Sequence, residues 1–366
     1  MTYSVSPNLT LQPTVNRYRH FPARVVLALA LLGFLAPATP SAEAATPQTA
    51  RQQVTRKTPV KRTTTVRKAK TRYSAKAARA RRARLARARA AALLAESKIP
   101  RFKTDSNGDL VPDLHAAAAI IYNPETNEVL WESNSQDKRS IASITKVMTA
   151  TVFVESEPDM TAKITVDRSD VRAASVTYLR ANDVVSVGDL LHLLLIASDN
   201  AAARVLARVS PWGSGGFVAR MNEKAAELGL RSTSYADASG LDAANVSSAY
   251  DMARLISYAS SDERIASIMR VADYTVQTDR RAIPIHSTNQ LVRKGDIDVL
   301  AGKTGFISKS GYCLATLLQL PQVNQQVAVV VLGARSNTGR FVETRNLLQW
   351  LSSKAQEIFG KKSGIQ

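Results

Sequence analysis

A basic stretch of low complexity, from Ala45 to about Pro100, confines any compact fold to the residues that follow it. The stretch consists mainly of Thr, Ala, Lys and Arg and has almost no large apolar side chain. Such a composition buries too little apolar surface to offset the entropy lost when a chain is ordered. We therefore expect residues 45–109 to form a basic arm or linker, disordered or partly helical, and residues 110–366 to form the folded domain.

The positive charge of the chain belongs to this arm. The formal net charge is +19, of which residues 1–45 carry +2, residues 46–100 carry +16 and residues 101–366 carry +1. Because the folded part is nearly neutral, the charge does not indicate a nucleic-acid-binding domain. The arm is suited to anionic lipid head groups or to anionic cell-envelope polymers. A solvated spacer that only extends the reach of the domain is the alternative.

The amino terminus has the order of a signal peptide. Three arginines up to Arg24 precede an apolar run from Val25 to Ala36, and small residues follow up to Ala44. Because this run is shorter than the roughly 20 residues that a transmembrane helix needs, we predict that residues 1–44 are a cleaved signal peptide. The protein would then be exported to the periplasm or the extracytoplasmic cell envelope. An uncleaved anchor is the alternative, and basic residues early in the arm oppose translocation.

The pattern of apolar residues after His115 predicts a domain that mixes helices and strands. Residues 116–122 and 128–132 are predicted as a hairpin, since Asn and Pro lie at the turn between them. Further on we predict helices at 141–155, 190–197, 216–228, 248–259 and 338–358, and strands at 312–320 and 326–332. Strands distant in sequence would then pair in one sheet.

Ser143 and Lys146 lie three residues apart at the start of the first predicted helix. This spacing places both side chains on one helix face. Serine needs an adjacent base to become a nucleophile, and a lysine among apolar neighbours can lose its charge through burial. The pair therefore suits a nucleophile and its base. Such a pair occurs by chance about once in a chain of this length, so a capping serine with a surface lysine is the alternative.

A second polar cluster, Ser198-Asp199-Asn200, ends an apolar helix. Ser198 could relay a proton to a leaving amine, and the Asn200 amide offers a donor and an acceptor to a peptide group. Capping of the next helix is the alternative.

A third cluster, Lys303-Thr304-Gly305, begins the strand-rich end of the chain. Its cation and hydroxyl can hold a carboxylate, and a glycine in a strand permits close approach of another backbone. A surface turn is the alternative.

In this order, the three clusters are the signature of penicillin-binding proteins and class A β-lactamases. Residues 110–360 resemble the low-molecular-mass penicillin-binding proteins, the family of D-alanyl-D-alanine carboxypeptidases and endopeptidases. Residues 142–150, 194–202 and 302–306 are similar to that family around its motifs. The resemblance implies an α+β, β-lactamase/D,D-peptidase-like fold, in which a helical subdomain packs on a five-stranded antiparallel sheet with the active site between them.

The resemblance also implies a role for each motif residue. These roles are the nucleophile at Ser143, the base at Lys146, a proton relay at Ser198, contact with the acyl group at Asn200, and binding of the substrate carboxylate and backbone at Lys303, Thr304 and Gly305. The backbone N–H groups of Ser143 and Phe306 would form the oxyanion hole. Peptidoglycan stem peptides would be the substrates and β-lactam antibiotics the inhibitors, with no metal and no cofactor.

Three functions are compatible with parts of this sequence. A class A-like β-lactamase needs a carboxylate for fast deacylation, but no Glu-x-x-Leu-Asn sequence lies between the second and third motifs. The closest acidic positions there are interpreted as solvated helix or loop charges: Glu223, Glu227, Asp237 and Asp242. A basic envelope-binding protein with an inert domain is disfavoured by three intact motifs. A D,D-peptidase is therefore predicted.

The choice between endopeptidase and carboxypeptidase depends on the chain after the third motif. Only 61 residues follow Gly305. Many carboxypeptidases of the family add a second β domain and a membrane helix there, and neither fits in this length. The resemblance therefore favours an endopeptidase that cuts D-alanyl-diaminopimelyl cross-links.

Overall fold

The computed structural model describes residues 64–96, 99, 101–320 and 323–360; the predicted signal peptide, residues 1–44, lies outside them. The described helices are α1 (Thr64–Glu96), α2 (Thr145–Glu155), α3 (Arg168–Val171), α4 (Val187–Leu195), α5 (Asn200–Val209), α6 (Gly213–Glu227), α7 (Ala249–Ser260), α8 (Glu263–Met269), α9 (Gln290–Lys294) and α10 (Asn337–Gly360). The described strands are β1 (Phe102–Thr104), β2 (Leu110–Pro112), β3 (Ala118–Asn123), β4 (Glu128–Ser133), β5 (Arg139–Ser140), β6 (Lys163–Thr165), β7 (Val184–Ser186), β8 (Val246–Ser247), β9 (Asp273–Gln277), β10 (Ala282–His286), β11 (Val299–Ile307), β12 (Gly311–Leu320) and β13 (Gln325–Ala334).

Five of these strands form one antiparallel sheet in the order β11-β12-β13-β3-β4. The predicted opening hairpin is β3 and β4, with Asn123 opposite Glu128 at its turn. Asn123 Oδ1 accepts the backbone N–H groups of Glu125 and Thr126, which closes the turn. β13, near the end of the chain, pairs with β3. Strands distant in sequence therefore share one sheet, as predicted, and β11 becomes an edge strand.

Both faces of the sheet are covered, because successive side chains of a strand point to opposite sides. On one face, Ile120 and Val330 belong to the large apolar core that includes α2, α4, α5 and α7. On the other face, Ile121 and Val329 pack with Leu351 of α10. The predicted α+β architecture, a helical subdomain on a five-stranded antiparallel sheet, is confirmed.

The long helices and strands lie close to their predicted positions, but short elements were not predicted. α4 begins after Ser186, whose hydroxyl accepts the N–H of Asp189. Between residues 260 and 295 the structure contains α8, α9 and the hairpin of β9 and β10, which the sequence patterns did not predict. α8 has seven residues, and α9, β9 and β10 have five each. All four are shorter than the roughly 11 to 18 residues over which an apolar period becomes clear.

A hairpin of β1 and β2 starts the folded domain before the boundary predicted at residue 110. Asn346 of α10 binds this hairpin: its Oδ1 accepts the N–H of Arg101 at 2.7 Å, and its Nδ2 donates to the carbonyl oxygens of Arg101 at 3.0 Å and Asp113 at 3.1 Å. Trp350 Nε1 donates to the carbonyl oxygen of Leu110 at 2.8 Å. The predicted boundary thus falls inside the hairpin, because its attachment to α10 is not visible in local composition.

The arm is helical over the 33 residues of α1. Every side chain of α1 whose burial is described, at positions 75–89, 91, 92 and 95, is exposed. No helix in the described ranges is both long enough and apolar enough to cross a membrane.

Replacing Asn346 with Ala should lower the free energy of unfolding by about 1–3 kcal/mol, because backbone groups of Arg101 and Asp113 lose their partner at a buried position. Urea-induced unfolding measures this change. Asn107→Ala, at the exposed turn of the same hairpin, is the control and should unfold like the unaltered protein. Equal unfolding midpoints for both variants would contradict the attachment of the hairpin to α10.

Candidate active site

The hydroxyl of Ser143 and the amine of Lys146 meet at the start of α2. Ser143 lies in a 3-10 turn, Ala142–Ile144, that leads into the helix, and Lys146 follows one turn later with its Nζ 3.0 Å from Ser143 Oγ. Lys146 is fully buried. This burial lowers the pKa of Lys146 from 10.5 to about 7, so that the amine can act as a base near neutral pH.

Two further oxygen atoms hold the amine of Lys146. Its Nζ donates to Asn200 Oδ1 at 2.6 Å and to the carbonyl oxygen of Ser239. Asn200 Nδ2 donates to the carbonyl oxygen of Ala174 at 2.8 Å, which fixes the orientation of the amide. Lys146 therefore has three neutral acceptors, as many as an ammonium group has donors.

Two glycines press against the backbone that carries Ser143. Gly240 has φ +80°, and a Cβ there would lie 2.1 Å from the carbonyl oxygen of Ala142. On the other side, a Cβ on Gly305 of β11 would lie 2.6 Å from the carbonyl oxygen of Ile141 and 3.2 Å from the backbone nitrogen of Ser143. Neither position has room for a side chain. The nucleophile turn is thus held between the loop of Gly240 and the strand of the third motif.

The second motif, Ser198-Asp199-Asn200, links α4 to α5. Ser198 has φ +60°, and its hydroxyl accepts a hydrogen bond from Lys303 Nζ at 2.7 Å. Asp199 is the N-cap of α5 and accepts the N–H of Ala202. The helix-capping alternative therefore applies to Asp199, while the other two residues of the motif contact the two buried lysines.

The third motif places Lys303 and Thr304 on the edge strand β11. Lys303 is 1% exposed, and its Nζ donates to Ser198 Oγ and to the carbonyl oxygen of Thr304 at 3.1 Å. Burial, followed by the charges of Lys146 and Arg340, holds the pKa of Lys303 well below its usual value. The structure therefore brings the side chains of all three motifs into one connected site.

Phe306, the other residue predicted for the oxyanion hole, follows Gly305 on β11. Its ring is exposed and stacks on Tyr312, with the ring centroids 4.2 Å apart. Gly305, the residue before Phe306, lies against the backbone nitrogen of Ser143. The two backbone N–H groups predicted for the oxyanion hole, those of Ser143 and Phe306, therefore belong to segments that lie next to each other.

Three contributors to the site lie outside the predicted motifs. Thr288, just before α9, accepts a hydrogen bond from Thr304 Oγ1 at 2.7 Å. Arg340 of α10 is buried and donates to the carbonyl oxygen of Gly305 at 3.0 Å, and burial lowers its pKa to about 10. Ser239 contributes through its backbone carbonyl group. None of the three stands in a recognisable local motif, so only their contacts identify them.

The acidic residues between the second and third motifs do not all share the predicted interpretation. Glu227 forms surface ion pairs with Arg220 and Lys224 of α6, as a solvated charge does. Asp237, in contrast, is half-buried and accepts hydrogen bonds in the turn that carries Ser239. For Asp237 the interpretation as a solvated charge is wrong, because protein donors surround its carboxylate in place of water.

Histidine, cysteine and acidic side chains elsewhere in the described ranges do not cluster in groups of three or more that could hold a metal ion. Cys313 is buried on β12, and burial raises the pKa of its thiol. His192 stacks on Tyr274, with ring centroids 3.9 Å apart. These residues have packing roles.

Replacing Gly305 with Ala should slow acylation of Ser143 by about 100-fold, because the added methyl group displaces the backbone of the nucleophile. The rate of labelling by a fluorescent penicillin measures this effect. Gly215→Ala, whose Cβ would meet no atom within 4 Å, is the control and should be labelled at the unaltered rate. Unchanged labelling of Gly305→Ala would contradict the close contact between β11 and the nucleophile turn.

Comparison with known sequences shows the family. A family model described as D-alanyl-D-alanine carboxypeptidase matches residues 105–336. The chain is 33% identical over 236 residues to the D-alanyl-D-alanine endopeptidase of Haemophilus influenzae, covering 64% of this chain and 81% of that protein. It is 30% identical over 246 residues to the D-alanyl-D-alanine endopeptidase of Escherichia coli, covering 66% and 79%.

Solved structures show the same fold. The crystal structure of the Streptomyces K15 DD-transpeptidase matches with a TM-score of 0.62 and 26% identity, over 66% of this chain and 98% of that chain. An evolved penicillin-binding protein homologue from Mycobacterium tuberculosis, 22% identical, matches in fold with a TM-score of 0.61 over 69% of this chain and 96% of that chain. The matched sequence, the shared fold and the three assembled motifs agree, and the chain belongs to the D-alanyl-D-alanine carboxypeptidase family of serine peptidases.

Proposed function

We propose that this protein is a serine D,D-endopeptidase that cuts D-alanyl-diaminopimelyl cross-links in peptidoglycan. The family assigns it to the serine-type D-alanyl-D-alanine peptidases. The endopeptidase assignment is supported by coverage: the chain covers 79–81% of three D-alanyl-D-alanine endopeptidases, but 62–63% of the D-alanyl-D-alanine carboxypeptidases compared with it. A larger share of each of those carboxypeptidases lies outside the matched region.

The observation that carries the proposal is the contact between Ser143 Oγ and the buried amine of Lys146. Neutral Lys146 accepts the hydroxyl proton as Oγ attacks the carbonyl carbon of the D-Ala residue, and the carbonyl π electrons move to its oxygen. The backbone N–H groups of Ser143 and Phe306 donate to this oxyanion. The C–N bond then breaks, and the amine leaves with a proton relayed through Ser198. The product is an ester between Ser143 and the D-Ala residue.

Water completes the reaction. It attacks the ester carbonyl, which restores the Ser143 hydroxyl and releases the D-Ala residue as a carboxylic acid. A β-lactam acylates the same serine, but its amine stays tethered to the adduct and blocks the approach of water. β-Lactams are therefore slow substrates and act as inhibitors of this protein.

Lys303 provides the recognition of the substrate. Its described acceptors, Ser198 Oγ and the Thr304 carbonyl group, are neutral, so a carboxylate beside it would stabilise its buried charge. The residue on the leaving side of the scissile bond carries an α-carboxylate in both D-alanyl-D-alanine and D-alanyl-diaminopimelyl bonds. The free edge of β11 can pair with the extended stem peptide next to Ser143.

Two purified muropeptides test the proposal: a D-alanyl-diaminopimelyl cross-linked dimer and a monomer that ends in D-alanyl-D-alanine. We expect the full chain to convert the dimer to monomers at least about tenfold faster than it trims the monomer, as resolved by mass spectrometry, a preference worth about 1.4 kcal/mol. Ser143→Ala should be inactive on both. Faster release of D-alanine from the monomer would instead make the protein a carboxypeptidase, and cleavage by Ser143→Ala would contradict the mechanism.

The site of action is the extracytoplasmic cell envelope, where peptidoglycan lies. In this proposal residues 1–44 direct export, and the arm attaches the enzyme to its surroundings. Eleven Lys and Arg residues lie within the 33 residues of α1, and its described side chains are exposed. The arm thus presents a dense positive charge on the amino-terminal side of the catalytic domain in sequence.

The partner of the arm is a linear anionic polymer of the envelope. With about 3.6 residues per turn, Arg79, Arg81, Arg82 and Arg84 point in different directions around the axis of α1. A flat bilayer can contact only one side of such a helix at a time, whereas a flexible polymer can contact several. The described part of α1 also has no continuous apolar stripe of the kind that interfacial helices insert into lipid.

Neutralising the arm should weaken polymer binding by at least about 100-fold, since each basic residue contributes about 1 kcal/mol near a polyanionic surface. The full-chain variant changes six arginines to Gln: Arg79, Arg81, Arg82, Arg84, Arg87 and Arg89. Changing the same six to Lys keeps the charge and is the matched control. Binding to inorganic polyphosphate and to phosphatidylglycerol vesicles is compared by co-sedimentation. Tighter binding to vesicles than to polyphosphate, or undiminished binding by the Gln variant, would contradict the proposed partner.

A further inference from the structure

The carbonyl group of Ser239 belongs to a tight turn that is built around the carboxylate of Asp237. Asp237 Oδ1 accepts the backbone N–H groups of Ser239 at 3.1 Å and Gly240 at 2.6 Å, and the side-chain Nδ2 of Asn245 at 2.6 Å. Its Oδ2 accepts the Ser239 hydroxyl at 3.0 Å and the N–H of Asp242 at 3.2 Å. Five donors therefore converge on one carboxylate and hold the turn in a single arrangement.

This turn is fastened to the segment that carries the nucleophile. Asn245 Oδ1 accepts the N–H of Ala236 at 2.8 Å, and the backbone carbonyl oxygen of Asn245 accepts the N–H of Ile141 at 3.1 Å. Gly240 at the same time lies against the carbonyl oxygen of Ala142. A change in the turn would therefore reach the catalytic pair directly.

The orientation of the Lys146 amine decides whether it can act as a base. A neutral lysine amine has two N–H donors and one lone pair. Asn200 Oδ1 and the Ser239 carbonyl oxygen can only accept, so each takes one N–H. The lone pair is then left for the third direction, toward the hydroxyl of Ser143 at 3.0 Å. Without the Ser239 carbonyl group, the amine could turn an N–H toward the nucleophile instead.

We propose that Asp237 is a positioning residue of the active site, which holds the Ser239 carbonyl group so that Lys146 presents its lone pair to Ser143. This inference rests on the proposed function and adds to it a carboxylate that does not touch the substrate. Asp237 acts through the geometry of one backbone carbonyl group and through its own negative charge.

The charge of Asp237 is one of several that act on Lys146. Burial has the largest effect and lowers the pKa of Lys146 to about 7; the carboxylates of Asp199 and Asp237 raise this pKa, and the charge of Arg204 on α5 lowers it. Lys303 on β11 is also close enough for the two lysine charges to repel each other. Removing only the charge of Asp237 should therefore lower the pKa of Lys146 further. Because Lys146 must be neutral to accept the proton, acylation should then persist to more acidic pH.

The test is the pH dependence of Ser143 acylation by a fluorescent penicillin in the full chain. In the unaltered protein the acylation rate should rise with pH through a midpoint of about 7. In Asp237→Asn the midpoint should move to lower pH, while the plateau rate falls by about tenfold or more. A residue that only stabilised the fold would lower the plateau or the melting temperature without moving the midpoint.

Asp242→Asn is the matched control. Asp242 lies in the same turn, but its side chain is exposed and accepts the N–H of Ala244, so this variant should leave the midpoint and the plateau of the acylation rate unchanged.

Asp237→Glu is the second variant, which serves if Asp237→Asn does not fold. It keeps the charge and shifts the carboxylate, so the plateau of the acylation rate should fall while the midpoint stays. An unshifted midpoint in Asp237→Asn, or an undiminished plateau in Asp237→Glu, would overturn the positioning role. Labelling of Ser143→Ala would instead overturn the proposed function itself.

Discussion

Burial of the Lys146 amine next to Ser143 removes it from water, and this desolvation lowers its pKa to about 7. The apolar surroundings are supplied by α2 itself, where Val147 and Met148 are fully buried, and by the helices that pack on it. A buried amine must have partners for its N–H groups. Those partners come from separate parts of the chain, Asn200 at the start of α5 and Ser239 in a turn. The base is therefore a property of the assembled helical subdomain.

The sheet supplies the other half of the site. β11 is the edge strand of the sheet in the described part of the chain, and it pairs with β12. In the proposed function its other side takes the extended substrate. Gly305 allows this strand to lie against the backbone of Ser143, and Arg340 of α10 holds the Gly305 carbonyl group from the opposite face of the sheet. The layer behind the sheet thus fixes the position of β11, the strand to which the proposed function assigns substrate binding.

The two buried lysines have different surroundings, and the proposed mechanism gives them different roles. Lys146 is bonded to two oxygen atoms that can only accept, Asn200 Oδ1 and the Ser239 carbonyl oxygen, and to the Ser143 hydroxyl, which can also donate to a neutral amine. Lys303 is bonded to a hydroxyl and a carbonyl group near the open edge of β11, where a substrate carboxylate can supply the opposite charge. Ser198 Oγ accepts from Lys303, while Asn200 two residues on accepts from Lys146. The second motif thus contacts both buried lysines, which the proposed mechanism assigns to recognition of the substrate and to proton transfer.

Local patterns in the sequence were sufficient to predict the three motifs, the opening hairpin, the long helices and the α+β class. These features depend on spacing within one turn or on apolar periods within one segment, so they can be read without knowing what packs against them. The boundary at Arg101, the partners Thr288 and Arg340, and the turn around Asp237 were decided by tertiary structure alone. The Lys146–Ser239 bond joins residues 93 positions apart through a backbone carbonyl group, and the Arg101–Asn346 bond joins residues 245 positions apart. A carbonyl group is the same in every residue, so no sequence pattern marks the one that the fold places beside a catalytic amine.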